Sequence, residues 1–244
     1  MEKNKSDVNE INSLEKISEE YTKPDAGRMV DKKLFSLIAD ELMPLISGPE
    51  VLEMGFGDDE WTSKIIQKIG HSNIVDASRN LLSVAKAKYK NTVNIYESLF
   101  ENFSPDKKFN TILASYILEH VEDPVSVLKG AREWMVDSGK LIAIVPHAGS
   151  LHRRLAVTMG LQENVSSLGE TDFRLGHRRV YDIELFEKHI KAAGYIIEMK
   201  KGLFIKPLPQ SMMTDFSDEM LKGFMELSKQ LPMEYSALIV FVCS

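Results

Sequence analysis

In residues 51–62, VLEMGFGDDEWT, an apolar run reaches a carboxylate at Glu53 and then meets Gly55 and Gly57. The pattern reads as a buried strand ending in a sharp turn, where glycine lets a ligand approach the backbone closely. A pyrophosphate favours such a turn when a helix N-terminus follows, because the open N–H groups attract negative charge. Here Asp59 stands where a third glycine would serve that purpose, and Asp58 and Glu60 flank it. Three carboxylates repel a pyrophosphate. They suit a ligand that carries a cation at this end, an ammonium or a sulfonium.

Three histidines fall where a base could serve chemistry at the same edge: His120 after the fourth strand of the reading below, His147 after the fifth, and His177 in LGHRRVYD. Each has an ordinary structural reading as a hydrogen-bonded residue, and the sequence leaves open which of them is a base; His71 and His189 look peripheral. Residues 147–182 hold Arg153, Arg154, Arg174, Arg178 and Arg179 and no lysine. One reading pairs them with Glu163, Glu170, Asp172 and Asp182 on a solvated surface. The other uses the guanidinium's paired hydrogen bonds to phosphate or carboxylate and expects Arg153, Arg154, Arg178 and Arg179 to hold an anionic small-molecule acceptor.

Those residues need a frame. Strands are expected at 51–54, 73–78, 92–98, 109–116 and 139–146, and helices at 62–70, 79–90 and 123–136, where Asp123 suits an N-cap and Pro124 the first turn. Strand–helix alternation implies a doubly wound, mostly parallel sheet of the Rossmann-like kind. A helix is expected at 29–46, from Leu34, Leu37, Ile38, Leu42 and Leu45, and another at 182–194. Late strands at 195–205 and 236–244, around a helix at 218–231, imply an antiparallel C-terminal edge. The chain divides into an N-terminal flap and helix (1–46), a core (47–146), a lid insertion (147–181) and a C-terminal completion of the sheet (182–244). Residues 1–27 read as polar, with a loop at SEEYTKPDAG, and Tyr21 and Arg28 are flap candidates. Met212, Met213, Phe216 and Met220 are apolar candidates for the acceptor pocket, with core packing as the alternative.

The turn at 53–57 resembles the first motif of the class I S-adenosylmethionine-dependent methyltransferases, an acidic residue followed by x-G-x-G. The rest of residues 30–146 carries the likeness in the same order, through IVDAS, YESLFENF and ASYILEHVEDPVSVLKGAREWMVDSGKLIAIVPH. The resemblance implies S-adenosylmethionine as cofactor. It implies Glu53, Gly55 and Gly57 at the donor's amino-acid tail, Asp76 with Ala77 at the ribose, and Ser98, Leu99 and Phe100 around the adenine. Ser115 and Tyr116 begin the fourth motif. The missing third glycine is tolerated in the family. PHAGSLHRRLAVTMG and LGHRRVYDIELFEKHIKAAGY are similar, more loosely, to segments of bacterial methyltransferases acting on sugar-like or surface-polysaccharide precursors.

The composition agrees with an enzyme of small molecules. The net charge of −6 gives no overall attraction to nucleic acid, and no NPPY- or DPPY-type motif follows the fourth strand. The single cysteine, Cys243, builds neither a disulfide framework nor a thiolate zinc site, and no metal-ligating constellation stands out. No stretch is apolar enough to span a bilayer and the acidic start is not a signal peptide, so a cytoplasmic protein without a membrane partner is expected. A homodimer is left open. The expected reaction is O-methylation with a histidine base. The alternatives are an N-methyltransferase, a nucleic-acid methyltransferase, a non-catalytic donor-binding protein and, least supported, a nicotinamide-dependent oxidoreductase.

Overall fold

The computed structural model describes residues 5–22, 26–57 and 59–244, with side chains from 7 to 19 and from 29 onward within those ranges. Helices α1 (Lys5–Thr22) and α2 (Ala26–Leu42) precede β1 (Val51–Met54), α3 (Glu60–Ile69), β2 (Ser72–Asp76), α4 (Arg79–Tyr89) and β3 (Val93–Glu97). Then come β4 (Phe109–Ser115), α5 (Pro124–Glu133), β5 (Met135–Pro146), α6 (Leu151–Thr158) and α7 (Glu170–Arg174). The chain closes with α8 (Ile183–Ala192), β6 (Ile197–Leu203), α9 (Asp218–Ser228) and β7 (Leu238–Cys243).

The strands form one sheet in the order β3-β2-β1-β4-β5-β7-β6. The first five strands run parallel, and β7 lies antiparallel between β5 and β6. This is the Rossmann-like methyltransferase architecture, with the antiparallel edge that the late strand pair implied. Central strands β1 and β7 are buried along their whole length, as expected for strands covered on both faces. One apolar layer packs α5 and α8 on one face through Val127, Leu128, Phe186 and Ile190. The other packs α2, α3 and α9 on the opposite face through Leu34, Ile38, Trp61, Ile65 and Leu221. Among the described residues no helix is long and apolar enough to cross a membrane.

Two boundaries differ from expectation. The helix after β4 ends at Glu133, and Met135 already pairs with Phe109 in the sheet. Trp134 sets that break by burying its ring against Phe103, with centroids 4.7 Å apart. The larger difference is at the N-terminus, where α1 is helical through Thr22 in place of the loop expected over residues 18–22. Its aliphatic positions are few, Val8, Ile11, Leu14 and Ile17, and the last two line the crevice described below. The side chains of Tyr21 and Arg28 lie outside the described residues.

Polar contacts hold α1 in place. The Glu15 carboxylate accepts from Ser78 Oγ at 2.8 Å and from the Arg79 backbone N–H at 2.7 Å. It thereby satisfies an open N–H in the first turn of α4, where a negative charge is favoured. Glu10 pairs with Arg178 at 3.0 Å, and Asp7 accepts from Asn102. Gly176 (φ +75°) lies so close that a Cβ there would come within 2.4 Å of Ile17 Cδ1. Replacing Glu15 by Ala removes a cap worth about 1 kcal/mol. Hydrogen exchange in α1 is expected to accelerate while the global unfolding midpoint moves little, and unchanged protection over residues 7–19 would contradict this anchoring.

Candidate active site

The strand order reverses between β1 and β4, so the turns leaving these strands part and a crevice opens at their carboxyl ends. A cavity of about 660 Å³ occupies it. The turn after β1 forms one wall. Gly55 has φ +81°, its N–H donates to the Val75 carbonyl at 2.8 Å, and a Cβ there would meet Ile117 Cδ1 at 2.7 Å. A Cβ at Gly57 would meet nothing within 4 Å, so that position faces open space. Glu53 is only 3% exposed and accepts from the Thr62 hydroxyl at the start of α3. Of the acidic turn, Glu53 lines the cavity. Asp59 instead pairs with Lys88, Glu60 lies in α3 outside the lining, and Asp58 falls outside the described residues.

Asp76 closes β2. Its Oδ2 accepts from the Phe56 N–H at 2.8 Å and its Oδ1 from the Ser78 N–H at 2.7 Å, which fixes the carboxylate against the glycine turn. Burial pushes its carboxyl up to about 6, although those backbone donors pull the other way. Ala77, Ser98, Leu99 and Phe100 line the same end, and the Ser98 N–H donates to the Asp76 carbonyl at 3.0 Å. At the end of β4, Ser115 Oγ accepts from Trp61 Nε1 at 3.2 Å. Tyr116, held at φ +58°, meets Phe35 edge-on. The candidate residues Glu53, Gly55, Gly57, Asp76, Ala77, Ser98, Leu99, Phe100, Ser115 and Tyr116 thus line one cavity.

The other end of the cavity belongs to the β4–α5 loop and to the segment after β5. Glu119 is 1% exposed, and among the described residues neither carboxylate oxygen has a donor from another residue. Burial pushes its carboxyl up to about 7, with the His177 ring opposing the shift. His120 meets His177 edge-on with centroids 4.7 Å apart, and burial lowers the His120 ring to about 3. His177 Nδ1 lies 2.8 Å from Asp172 Oδ1. Burial alone would raise Asp172, but His177, the Gly169 N–H and the Arg153 guanidinium hold it well below the usual carboxylate range. His177 and His120 therefore share one cluster.

His147 lines the same cavity but is outside that cluster. Its Nδ1 bonds the Ser236 carbonyl at 3.0 Å, and its Cε1–Nε2 edge packs on Gly149. The ring fastens the end of β5 to the segment before β7.

The arginines differ most from expectation. Arg178 Nε donates to the His120 carbonyl at 2.8 Å, and Arg179 donates to the Leu118, Val121 and Glu122 carbonyls. Arg154 holds the Gly149 carbonyl and lies over Tyr235. None of these three lines the cavity. Arg153 does line it, but its guanidinium is spread over Asp172 and the Val165 and Ser167 carbonyls. These guanidiniums supply donors to the loop carbonyls of Gly149, Leu118, His120, Val121, Glu122, Val165 and Ser167.

Two cavity residues carried no signal as candidates. Lys206, just past β6, bonds Gln210, and burial lowers its ammonium to about 8. His152 is lowered to about 3 by burial, and its Nδ1 has no partner. Met213 is core, and Met212 and Met220 are exposed.

A family model described as a methyltransferase domain matches residues 27–198. Similar solved structures include an S-adenosylmethionine-dependent methyltransferase from Clostridium acetobutylicum ATCC 824, at 14% identity and TM-score 0.56, covering 87% of this chain and 91% of that one. A putative methyltransferase from Haloferax volcanii, solved with the Trm112 methyltransferase activator, shares 11% identity at TM-score 0.60 and covers 89% and 91%. The glycopeptide N-methyltransferase MtfA, solved with S-adenosylmethionine, shares 12% at TM-score 0.57 and covers 86% of each chain. At such identities the likeness is one of fold. No curated protein sequence matches significantly. With the family match running from α2 into β6, across both walls of the crevice, the chain belongs to the class I S-adenosylmethionine-dependent methyltransferases.

Proposed function

We propose that the protein binds S-adenosylmethionine at the β1–β2–β3 end of the cavity and methylates an oxygen of a small acceptor at the Glu119–His177 end. The observation that carries the donor assignment is Asp76. Its carboxylate is pinned by two backbone N–H groups beside a glycine turn whose Gly57 faces open space. Ribose hydroxyls donate to such a carboxylate. Glu53 and the turn at Gly55 and Gly57 receive the donor's amino-acid tail, and Leu99 and Phe100 flank its adenine. Ser115 and Tyr116 border the donor from β4.

Methyl transfer is an in-line displacement. An acceptor oxygen lone pair forms the new C–O bond, the C–S bond breaks, and its electron pair leaves sulfur a neutral thioether. The protein's share is alignment of the two reactants and removal of the acceptor's proton. We assign the proton to the cluster at His177. A hydrogen bond from Nδ1–H to Asp172 leaves Nε2 as the accepting atom, the relation by which a carboxylate orients a catalytic imidazole. An oxygen acceptor fits this arrangement because an uncharged amine needs less help from a base.

The acceptor is read as small because α1 covers the crevice and the segment 147–181 borders it; Leu14, Ile17, Thr171 and Leu175 all line the cavity. An anionic acceptor keeps its support from Lys206 and Arg174 in the lining, in place of the arginine grip. An anion beside Lys206 offsets the burial that lowers its ammonium.

Two outcomes test the reading. An ionised Asp76 is the form that accepts from hydroxyls, and its raised pKa means that it takes up a proton as pH falls through about 6. Affinity for S-adenosylhomocysteine is therefore constant above that value and falls below it, approaching about tenfold per pH unit. Asp76→Asn is expected to weaken binding by about ten- to a hundredfold at neutral pH. Calorimetry measures both, and tight, pH-independent binding by the variant would remove the donor assignment. In a donor-consumption screen over hydroxylated anionic acceptors, His177→Asn should lower kcat by about 10²- to 10⁴-fold with little change in donor KM. Wild-type turnover by that variant would place the proton transfer elsewhere.

A further inference from the structure

We propose that Glu119, His120 and His177 form a binding site for one divalent transition-metal ion at the acceptor end of the cavity. Each of the three brings a ligand-capable atom to within 4.8 Å of the other two. One carboxylate and two imidazoles suit first-row ions such as Zn²⁺ or Mn²⁺, and three protein ligands leave coordination positions open for a substrate.

The surroundings are those of a ligand set. Glu119 is buried, and among the described residues no other residue donates to either of its oxygens, which is costly for a carboxylate unless a cation meets it. The nearest guanidinium in its electrostatic surroundings, Arg179, is committed to the carbonyls of Leu118, Val121 and Glu122. The hydrogen bond between His177 Nδ1 and Asp172 leaves Nε2 as that ring's only available ligand atom. A carboxylate behind a histidine in this way fixes the tautomer and strengthens the ring as a ligand. Asp172 is itself held, at 2.6 Å by Arg153 and at 2.8 Å by the Gly169 N–H. The His120 ring faces the Leu175 and Gly176 carbonyls, which can hold its other nitrogen. The loop carrying Glu119 and His120 is stapled by Arg178 and Arg179, whose own backbone joins in, with the Arg178 N–H donating to the Glu119 carbonyl at 2.8 Å.

The ion's role toward the acceptor rests on the methyl-transfer reading; the site itself does not. An acceptor hydroxyl on an open position has its pKa lowered by the ion. Its proton then leaves to water before transfer, and His177 serves as a ligand while the ion does the work assigned above to this cluster.

The test uses the full chain, stripped with a chelator and titrated calorimetrically with Zn²⁺ and, separately, Mn²⁺. One ion per chain is expected. Binding should weaken at least about tenfold in Glu119→Gln and in His120→Asn, and by about ten- to a hundredfold in Asp172→Asn, which touches no ion but orients a ligand. S-adenosylhomocysteine binding, measured on the same samples, should be unchanged in all of them and reports that they are folded. If neither ion binds stoichiometrically, or Glu119→Gln binds it as tightly as the natural sequence, the site does not exist and Glu119 is a protonated buried acid. Loss of the homocysteine ligand with metal binding intact would overturn the donor assignment and leave the metal site standing.

Discussion

The structure depends on a constraint of connectivity: β1 and β4 are neighbours in the sheet, yet α3 and α5, which follow them, pack on opposite faces. The two turns must diverge, and the space between them cannot be filled by either helix. The turn after β1 answers with Gly55, whose left-handed backbone sits where a Cβ would strike Ile117 of the opposite turn. The turn after β4 answers with Tyr116 at positive φ, which starts the excursion that carries Glu119 and His120 over the cavity. Both turns are strained or restricted by their proximity, and the cavity is what that proximity encloses.

Burial governs the electrostatics of the cavity lining. Burial raises Asp76 and Glu119 and lowers His120, His152 and Lys206, so groups of both signs are pushed toward neutrality. Asp172 is the exception, because it is met by a histidine, a guanidinium and a backbone N–H together. That contrast separates the two kinds of buried acid here. Asp172 is a completed structural charge that orients its neighbour. Glu119 has a place in the cavity and, among the described residues, no hydrogen-bond partner, and Asp76 accepts from backbone N–H groups at both oxygens.

The β1–β2–β3 end of the cavity was legible as a set because the chain delivers it in order: each strand runs into its own cavity-lining residue, from Glu53 through Asp76 and Ser98 to Ser115, and a strand–helix rhythm fixes which edge they share. The Glu119–His177 end was not, for a physical reason. Its members meet through side chains from distant segments, and an arginine's charge does not announce what it will hold. Arg178 and Arg179 looked like ligands for an anion and are hydrogen-bond donors to carbonyls of the β4–α5 loop. Asp172 looked like surface and anchors His177. Helix α1 escaped notice because its apolar stripe is narrow: Leu14 and Ile17 line the cavity, and the helix is held besides by Glu15, which caps α4.

The same contacts tie the acceptor end to its cover. Arg178 reaches the His120 carbonyl with Nε and Glu10 of α1 with its terminal nitrogen, so one guanidinium spans the loop of the cluster and the covering helix. Arg153 likewise joins the segment after α6, through the Val165 and Ser167 carbonyls, to Asp172 and through it to His177. Arg178 is therefore a direct link between the covering helix and the loop that carries Glu119 and His120, while Glu15 holds the helix to α4 and Arg179 holds the loop independently.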